Sequence, residues 1–405
     1  MKIKGNIIDK ITTILMAILY ALFIILDRFE YKNYIFLFIS IVIFLLSRIK
    51  YNSLKIQLTK FHKSTTLFFL FCFISMFWAQ NPLYSKNQAI SILYNLIVLF
   101  FINAACQSDD NISKFIFAIK WGGVIIALYS FAIYGVSGII NTIHSGMRLD
   151  NEFGNSNDIA IQGALSIVIF MMDYLVNVKK RTILSIFACT PSMILIASSG
   201  TRKAILILAI GFFMAFYWYI KNTQTVSKKI QRFAVFAFAC IFVILLISNM
   251  SMFNLILDRM KNIGFGNNKI KEQSAQLRSV MIIGGWKQFL KTPLLGIGIG
   301  CPRILNLSLT GMDAYLHNNY IELLCGGGLV GFILYYKMYY YNLKLLIRSN
   351  IKTKEISLCL TLIVINLMLD WSMVSYYSIS NYFIIMMCFI QSKLICYNNY
   401  IQKKN

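Results

Sequence analysis

An arginine and a histidine, Arg278 and His317, lie at the two ends of one segment of low hydropathy that separates apolar stretches. Arginine is always charged and clamps phosphate groups through its fork of N–H donors. Histidine has the unperturbed side-chain pKa closest to neutrality, so it can take a proton from a hydroxyl group. Both residues on one solvent-facing segment, at the mouth of a membrane bundle, form a candidate reaction centre.

Arg202 is a second candidate for anion binding. It follows Ser198-Ser-Gly-Thr201 at a point where two apolar stretches meet with almost no loop. A cation this close to hydrocarbon is costly and is commonly functional. The alternative is a side chain that extends its charged head to the membrane surface. Both interpretations apply to Arg202, whereas the second is preferred for the neighbouring Lys203.

A third polar group lies in the segment 146–158 and contains Arg148, Asp150, Glu152, Asn155, Asn157 and Asp158. A polar segment this dense at the entrance to a membrane span can line a cavity. It is equally consistent with an ordinary outer loop that ends in a helix cap at Asn157 or Asp158.

The sequence contains three histidines, and two of them have simple interpretations. His62 stands between lysines and is interpreted as solvated loop, and His144 is interpreted as an outer surface residue. His317 is either an interfacial cap or a functional group. The adjoining Asn318 and Asn319 favour function, because amides can orient an imidazole or a sugar. Scattered histidines and few carboxylates predict no metal site.

The composition is that of an integral membrane protein. Of 405 residues, 58% are hydrophobic and 13% charged, against roughly 25% charged in average chains. The net charge of +24 does not indicate nucleic acid, because basic residues of membrane proteins collect on cytoplasmic loops. None of the nine cysteines forms a Cys-x-x-Cys pair, and they are interpreted as small core residues.

Apolar runs of about the length of a membrane helix recur from the N-terminus to the C-terminus. They predict an all-α, polytopic helix bundle that forms a single integral membrane domain over residues 1–405. We predict about 12 transmembrane helices, at 11–27, 34–48, 64–79, 88–106, 115–140, 158–177, 182–198, 204–220, 233–252, 318–342, 356–370 and 379–395.

The distribution of basic residues sets the orientation of these spans. Lysines and arginines collect in alternate connections, at 2–10, 48–63, 114–120, 179–181, 221–232, 344–354 and 393–404. The short connections between them are poor in basic residues. This asymmetry places both termini in the cytoplasm. Residues 253–316 then form one large extracytoplasmic loop, which is exempt from the charge rule because of its length.

The large loop shows local order of its own. Residues 274–290 can form an amphipathic helix, and Pro293 suits its end. The apolar residues near one face of this helix are Ile282, Ile283, Trp286, Phe289 and Leu290. The alternating Gly296, Gly298 and Gly300 permit a tight turn with close backbone approach. Gly327-x-x-x-Gly331 further on predicts close helix packing.

Taken together, these motifs resemble the bacterial O-antigen ligase and polymerase superfamily. The resemblance covers about residues 145–345 in detail and the remainder as a pattern of spans. It rests on Asn155-Ser-Asn157-Asp158-Ile-Ala160, Ser199-Gly200-Thr201-Arg202, Arg278 followed by Trp286 and Pro293-Leu-Leu-Gly296-Ile-Gly298-Ile-Gly300, and His317-Asn318-Asn319-Tyr320 followed by Gly327-Gly328-Leu329-Val330-Gly331.

The resemblance implies a reaction and roles for these residues. Members of the superfamily transfer glycans from an undecaprenyl-diphosphate carrier on the outer face of the bacterial cytoplasmic (inner) membrane. Carried over by motif, Arg202 and Arg278 resemble the diphosphate-binding arginines and His317 resembles the catalytic base. Arg148 and Asn318 are added as expected substrate-binding residues. No cofactor or metal is implied, and the expected fold is related to membrane C-type glycosyltransferases.

The residues leave the acceptor open. A polymerase passes the glycan to the next carrier-linked repeat unit and builds O-antigen or capsule polysaccharide, and general likeness favours it. A ligase passes the glycan to lipid A core or another acceptor. A flippase of the same lipid-linked units is an alternative of another class. The expected partners are the glycan donor, the glycan acceptor, membrane lipid, flippase and chain-length regulator proteins, without nucleic acid.

Overall fold

The computed structural model describes residues 2–51, 58–106, 112–145, 155–176, 183–221, 227, 230, 273–349 and 353–404, and they contain helices and no β-strand. The helices are α1 (Lys2–Ile25), α2 (Lys32–Tyr51), α3 (Lys60–Ile74), α4 (Pro82–Ala105), α5 (Ile112–Ser145), α6 (Ser156–Val176), α7 (Ile183–Ser199), α8 (Arg202–Lys221), α9 (Gln273–Lys291), α10 (Pro302–Thr310), α11 (Asn319–Arg348), α12 (Lys354–Leu369) and α13 (Ile379–Lys404). A short 3-10 turn, Ser75–Phe77, follows α3.

The helices confirm an all-helical membrane protein. Seven of them are long and apolar enough to cross a bilayer, at Ile7–Ile25, Lys32–Lys50, Pro82–Ala105, Ile112–Thr142, Arg202–Lys221, Asn319–Arg348 and Ile379–Tyr397. The predicted span 233–252 and the first part of the loop, 253–272, lie outside the described residues. The count of twelve and the extent of the outer loop therefore stay predictions.

The chain divides into two compact units. The first contains 1–16, 30–115 and 272–405, and the second contains 17–29 and 116–271. In the first unit α11 packs against α3, α9, α12 and α13. Its core is aromatic: the rings of Phe68 and Tyr335 lie 5.3 Å apart, and those of Phe68 and Tyr376 lie 6.3 Å apart.

Helix α11 is broken one third of the way along, at Gly328, where φ is 60° and ψ is −163°. The segment between α9 and α10 satisfies the interrupted backbone, since the Leu329 N–H donates to the Pro293 carbonyl at 2.8 Å. A Cβ on Gly328 would lie 2.3 Å from the Leu294 carbonyl oxygen. The φ/ψ combination at Gly328 is essentially confined to glycine, so backbone conformation and close approach both require glycine here.

The same segment pairs with the last turn before the break. The N–H groups of Ile297 and Gly298 donate to the carbonyls of Cys325 and Gly326 at 3.0 and 2.9 Å. Gly296 has a φ of 68°, and a Cβ there would lie 2.5 Å from the Gly326 carbonyl carbon. The alternating glycines of the loop and the run of glycines in α11 thus pack backbone against backbone.

The spacing Gly327-x-x-x-Gly331 has the packing role that the sequence predicted. Phe71 of α3 lies against both positions: a Cβ would stand 3.2 Å from its ring at Gly327 and 2.7 Å at Gly331. Removing the side chain from these two positions lets the aromatic ring of a neighbouring helix reach the α11 backbone.

The glycine contacts give a matched pair of substitutions. Gly296→Ala should destabilise the fold by about 1–2 kcal/mol for the left-handed conformation and by a further 1–3 or so for overpacking. Gly311 has a φ of 75° with nothing within 4 Å of its Cβ position, so Gly311→Ala carries the conformational cost alone. Thermal unfolding in detergent compares the two. Equal melting temperatures would mean that the contact at Gly296 adds nothing.

Helix α9 is present where the amphipathic pattern predicted it, but only part of the predicted apolar face packs, with Phe289 buried. Met281, Gly285 and Phe289 are buried. A Cβ on Gly285 would lie 2.5 Å from Leu316, so the glycine admits the segment before α11. Three residues of the predicted face remain exposed, namely Ile283, Trp286 and Leu290. The close approach at Gly285, together with Met281 and Phe289, therefore defines the buried face.

His62 is also placed differently from its prediction as solvated loop. It is 7% exposed, and its Nδ1 accepts the Thr59 N–H at 3.1 Å in a capping box at the start of α3. Burial lowers the pKa of the imidazole, because desolvation disfavours its charged form.

The second unit is organised around α6, which packs against α7 and α8. The approach of α8 is close, since a Cβ on Gly211 would lie 2.2 Å from Val168. At the other side of α6, the Tyr20 hydroxyl donates to Gln162, and Lys120 pairs with Asp173 at 2.6 Å. Helix α7 ends at Ser199 and α8 begins at Arg202, so the predicted corner with almost no loop is confirmed.

Candidate functional site

His317 lies in a strained turn immediately before α11. In the described part of the chain it is the one non-glycine residue with a positive φ, at 56°. Its ring lies against that of Tyr315, with centroids 4.5 Å apart and planes at 59°. A non-glycine residue in such a conformation costs on the order of 1–3 kcal/mol, and such residues cluster at functional sites. The turn keeps the imidazole at the helix end, partly exposed.

Asn318 begins α11 as its N-cap. Its Oδ1 accepts the Ile321 N–H at 3.0 Å, and its Nδ2 donates to the Trp371 carbonyl at 3.2 Å. The residue is 2% exposed. The amide therefore ties the His317 turn to the connection between α12 and α13. Its expected contact with substrate stays a prediction.

Asn319 fixes the same connection from inside the protein. Its N–H donates to the Asp370 carbonyl at 2.7 Å, and its Nδ2 donates to the Asp370 carboxylate at 3.1 Å. Its Oδ1 accepts the N–H groups of Ser375 and Tyr376 at 3.0 and 3.1 Å. Every polar atom of this side chain thus has a protein partner, so the role of Asn319 is to hold the α12–α13 connection against the start of α11.

Asp370 is a fully buried carboxylate that the sequence analysis did not assign to the site. Besides Asn319, its partners are the Tyr336 hydroxyl at 2.9 Å and the Ser375 hydroxyl. Asn381 extends the network by donating to Tyr335 at 2.8 Å. Donors surround the carboxylate, which makes its burial tolerable and holds the end of α12 against the start of α11.

Glu322 completes the surroundings of the turn. The side chain is 2% exposed, and its Oε2 accepts the Leu316 N–H at 2.8 Å. Leu316 immediately precedes His317 and is itself buried. Glu322 thus faces the interior of the bundle, and its carboxylate contacts the backbone beside the candidate base.

Arg278 lies on α9 in the same unit as His317. Its chain neighbour Leu277 packs against a buried cluster that contains Met281 and Leu316, so the two candidate residues flank one apolar cluster. The Arg278 side chain is exposed. The other arginine of this region, Arg303, is instead paired with Asp313, with Nε and Oδ1 2.9 Å apart.

Arg202 belongs to the second unit and starts α8. Gly200, with a φ of 59°, forms the corner before it. The Thr201 hydroxyl donates to the Asn157 Oδ1 at 3.1 Å, so the structure joins two of the predicted motifs, Asn155–Asp158 and Ser199–Arg202. Arginine at a helix N-terminus adds a mobile cation to the positive end of the helix dipole, and both attract anions.

The remaining predicted residues are placed as follows. Asn155 precedes α6 and its Oδ1 accepts the Asn157 N–H at 3.0 Å, so the cap lies two residues before the predicted Asn157. Arg148 lies outside the described residues. In the described ranges no group of three or more histidine, cysteine, aspartate or glutamate residues is arranged to hold a metal ion.

These features define a class: a helical membrane protein with candidate anion-binding arginines and a histidine held in a strained turn at the start of a membrane helix. Residues 187–336 match the family model described as O-antigen ligase. The match spans both arginines and His317, and it confirms the resemblance that the motifs indicated. No curated protein matches the chain.

Proposed function

We propose that this protein transfers a glycan from an undecaprenyl-diphosphate carrier to a hydroxyl acceptor on the outer face of the bacterial cytoplasmic membrane. The proposed acceptor is the next carrier-linked repeat unit, which makes the protein a polymerase. The observation that carries the proposal is the His317 turn, a costly backbone conformation at the start of a membrane helix. The matched family supplies the reaction class, because its members transfer glycans.

The chemistry needs a stabilised leaving group and one base. The diphosphate leaves with negative charge, and fixed cations aimed at that charge lower the barrier without protonating it. Arg202 and Arg278 take this role. Neutral His317 accepts the proton of the acceptor hydroxyl while the hydroxyl oxygen forms its bond to the anomeric carbon of the donor. The bond from that carbon to the phosphate oxygen breaks on the opposite face, so the reaction inverts the anomeric centre.

A ligase is the second candidate, because the matched family model is described as O-antigen ligase. A ligase uses the same donor, the same arginines and the same base. The two activities differ in the acceptor, which is lipid A core or another envelope molecule for a ligase. None of the residues in the His317 turn distinguishes these acceptors.

A flippase is less well supported. Transporters bind substrate at the midplane through the exposed backbone of broken helices. Helix α11 is broken at Gly328, but residues 293–298 form hydrogen bonds with the backbone groups on both sides of the break. The break is thus filled by protein, and the candidate residues His317 and Arg202 lie at helix ends.

Glycan analysis of a deletion strain tests the function. Loss of a polymerase should leave single repeat units on the final acceptor, whereas loss of a ligase should leave polymerised chains on the carrier. Loss of a flippase should leave repeat units on the carrier at the inner face. Complementation with the intact gene is the control, and unchanged envelope glycans in the deletion strain would contradict all three.

The proposed orientation predicts opposite labelling of two cysteines. Ser308→Cys in α10, in a background with Cys240 and Cys396 replaced by serine, should react in intact cells with a maleimide that does not cross the cytoplasmic membrane. The exposed native Cys396, kept in a background with Cys240→Ser, should react only after permeabilisation. The reverse pattern would place residues 253–316 inside. The seven described cysteines other than Cys396 are buried, so background labelling should be low.

A further inference from the structure

Glu322 is a buried carboxylate within a membrane helix, and its position needs an explanation. It is the fourth residue of α11, a helix that over Asn319–Arg348 is long and apolar enough to span a bilayer. Among the described residues its side chain makes one hydrogen bond, to the Leu316 N–H, and no salt bridge. Acidic groups at membrane depth are costly and mark functional sites by default.

The hydrogen-bond partner of this carboxylate, the Leu316 N–H, indicates what Glu322 does. Leu316 cannot shift sideways, because its side chain fills the space over Gly285 of α9 and is fully buried. Its N–H would be a buried, unpaired donor without Glu322. The next residue is His317, whose left-handed conformation persists only if its surroundings hold it.

The opposite side of the turn is held separately. The Asn319 N–H donates to the Asp370 carbonyl at 2.7 Å, and Asn318 caps α11. The Glu322 N–H also donates to the Asn318 carbonyl at 2.9 Å. His317 is thus bracketed, with Glu322 on the side of Leu316 and the α12–α13 connection on the other.

We propose that Glu322 is a positioning residue, which fixes the imidazole of His317 for proton transfer by accepting the Leu316 N–H. The inference rests on the proposed function of His317 as the base. Glu322 itself exchanges no proton with the acceptor. What matters is an oxygen acceptor at the reach of a glutamate side chain, and the negative charge is not required.

Reach and charge are separated by two substitutions. Glu322→Gln keeps an oxygen at the same reach without the charge and should retain turnover within about threefold. Glu322→Asp keeps the charge but is shorter by one methylene, and should lose about 10²-fold in kcat, the scale of a 1 Å misplacement. The KM for the carrier-linked donor and the midpoint of the pH profile should stay at wild-type values in both variants. Purified proteins in proteoliposomes allow all three measurements.

Two further variants complete the comparison. Glu322→Met has a similar length but offers only a thioether sulfur, a weak hydrogen-bond acceptor. It should lose as much turnover as Glu322→Asp, so it replaces that variant if the aspartate protein fails to fold. Asp313→Asn removes an exposed carboxylate from the same loop and should keep normal turnover. Melting temperatures in detergent show which variants are folded.

The inference is overturned if Glu322→Asp turns over normally, or if folded Glu322→Gln is as inactive as His317→Gln. The second result would give Glu322 a direct part in proton transfer. Failure of the proposed function looks different, because His317→Gln would then be active whatever the Glu322 variants do. In that case the positioning role is overturned together with the base.

Discussion

His317→Gln should lose about 10²–10⁴-fold in turnover, the contribution of a general base, while binding of the carrier-linked donor persists. Glutamine keeps a hydrogen-bonding side chain at the start of α11 but takes up no proton. If His317 served as a cap, Gln would suffice, although the cap hydrogen bond to Ile321 already belongs to Asn318. Single-turnover rates of purified protein with a carrier-linked glycan measure the loss.

The pH dependence of wild-type turnover provides an independent check on the same residue. Only the neutral imidazole accepts a proton, so activity should fall as the pH drops through the pKa of the histidine, for which the unperturbed reference is about 6.5. His62→Gln is the matched control, because His62 is buried in a capping box elsewhere in the chain. Near-normal turnover of His317→Gln with an unchanged profile would leave His317 as a helix-start residue.

Replacing His317 by glycine tests whether the strained conformation of the turn serves activity or folding. Glycine adopts a positive φ without steric cost, so His317→Gly should keep or raise the melting temperature while turnover is lost. A residue that served only the fold would give the opposite pattern, a lower melting temperature. The combination of unchanged stability and lost activity is typical of strain held at a functional site.

Local patterns predicted the helices and the turn residues well. The apolar period of residues 274–290 and Pro293 predicted α9, which spans Gln273–Lys291. The near absence of a loop before Arg202 predicted the corner at Gly200. Each of these signals lies within one or two turns of the feature that it describes, so no knowledge of distant contacts was needed.

Features that depend on distant contacts were not predictable in this way. The sequence showed Gly296 and Gly328 as separate turn and helix signals, but their meeting needs the segment 293–298 to fold back onto α11. The buried face of α9 follows from Gly285 and its contact with Leu316, and a glycine contributes nothing to an apolar pattern. His62 was interpreted from its lysine neighbours, whereas its burial comes from its place in a cap.

The two buried carboxylates illustrate the same limit at the candidate site. A lone acidic residue in an apolar run, such as Glu322 or Asp370, signals function but does not reveal its partner. Glu322 bonds to a backbone N–H six residues earlier, and Asp370 bonds to a side chain 51 residues away. Residue types alone could not identify the first contact, because every residue except proline offers the same donor.

Arg202→Ala should lose most of its turnover, and Arg202→Lys should restore little of it. A lysine supplies a point charge, whereas the guanidinium supplies a planar fork that matches two phosphate oxygens. The position adds to the effect, because Arg202 starts α8 and the helix dipole already favours an anion there. Turnover and donor binding of the purified variants, at equal expression, give the result.

The neighbouring residue provides the control for Arg202. Lys203 stands at the same helix end, and the sequence assigned it to the membrane surface, so Lys203→Ala should keep turnover close to normal. Loss in both variants would show that net charge at the helix end suffices, and the bidentate clamp would be wrong. Full activity of Arg202→Ala would remove this residue from the donor site and leave Arg278 as the candidate.

Since cations aimed at the leaving diphosphate act mainly in the transition state, we expect the loss of activity in the Arg202 variants to fall on kcat more than on KM. A loss confined to KM would instead mean that Arg202 binds the donor without assisting its departure.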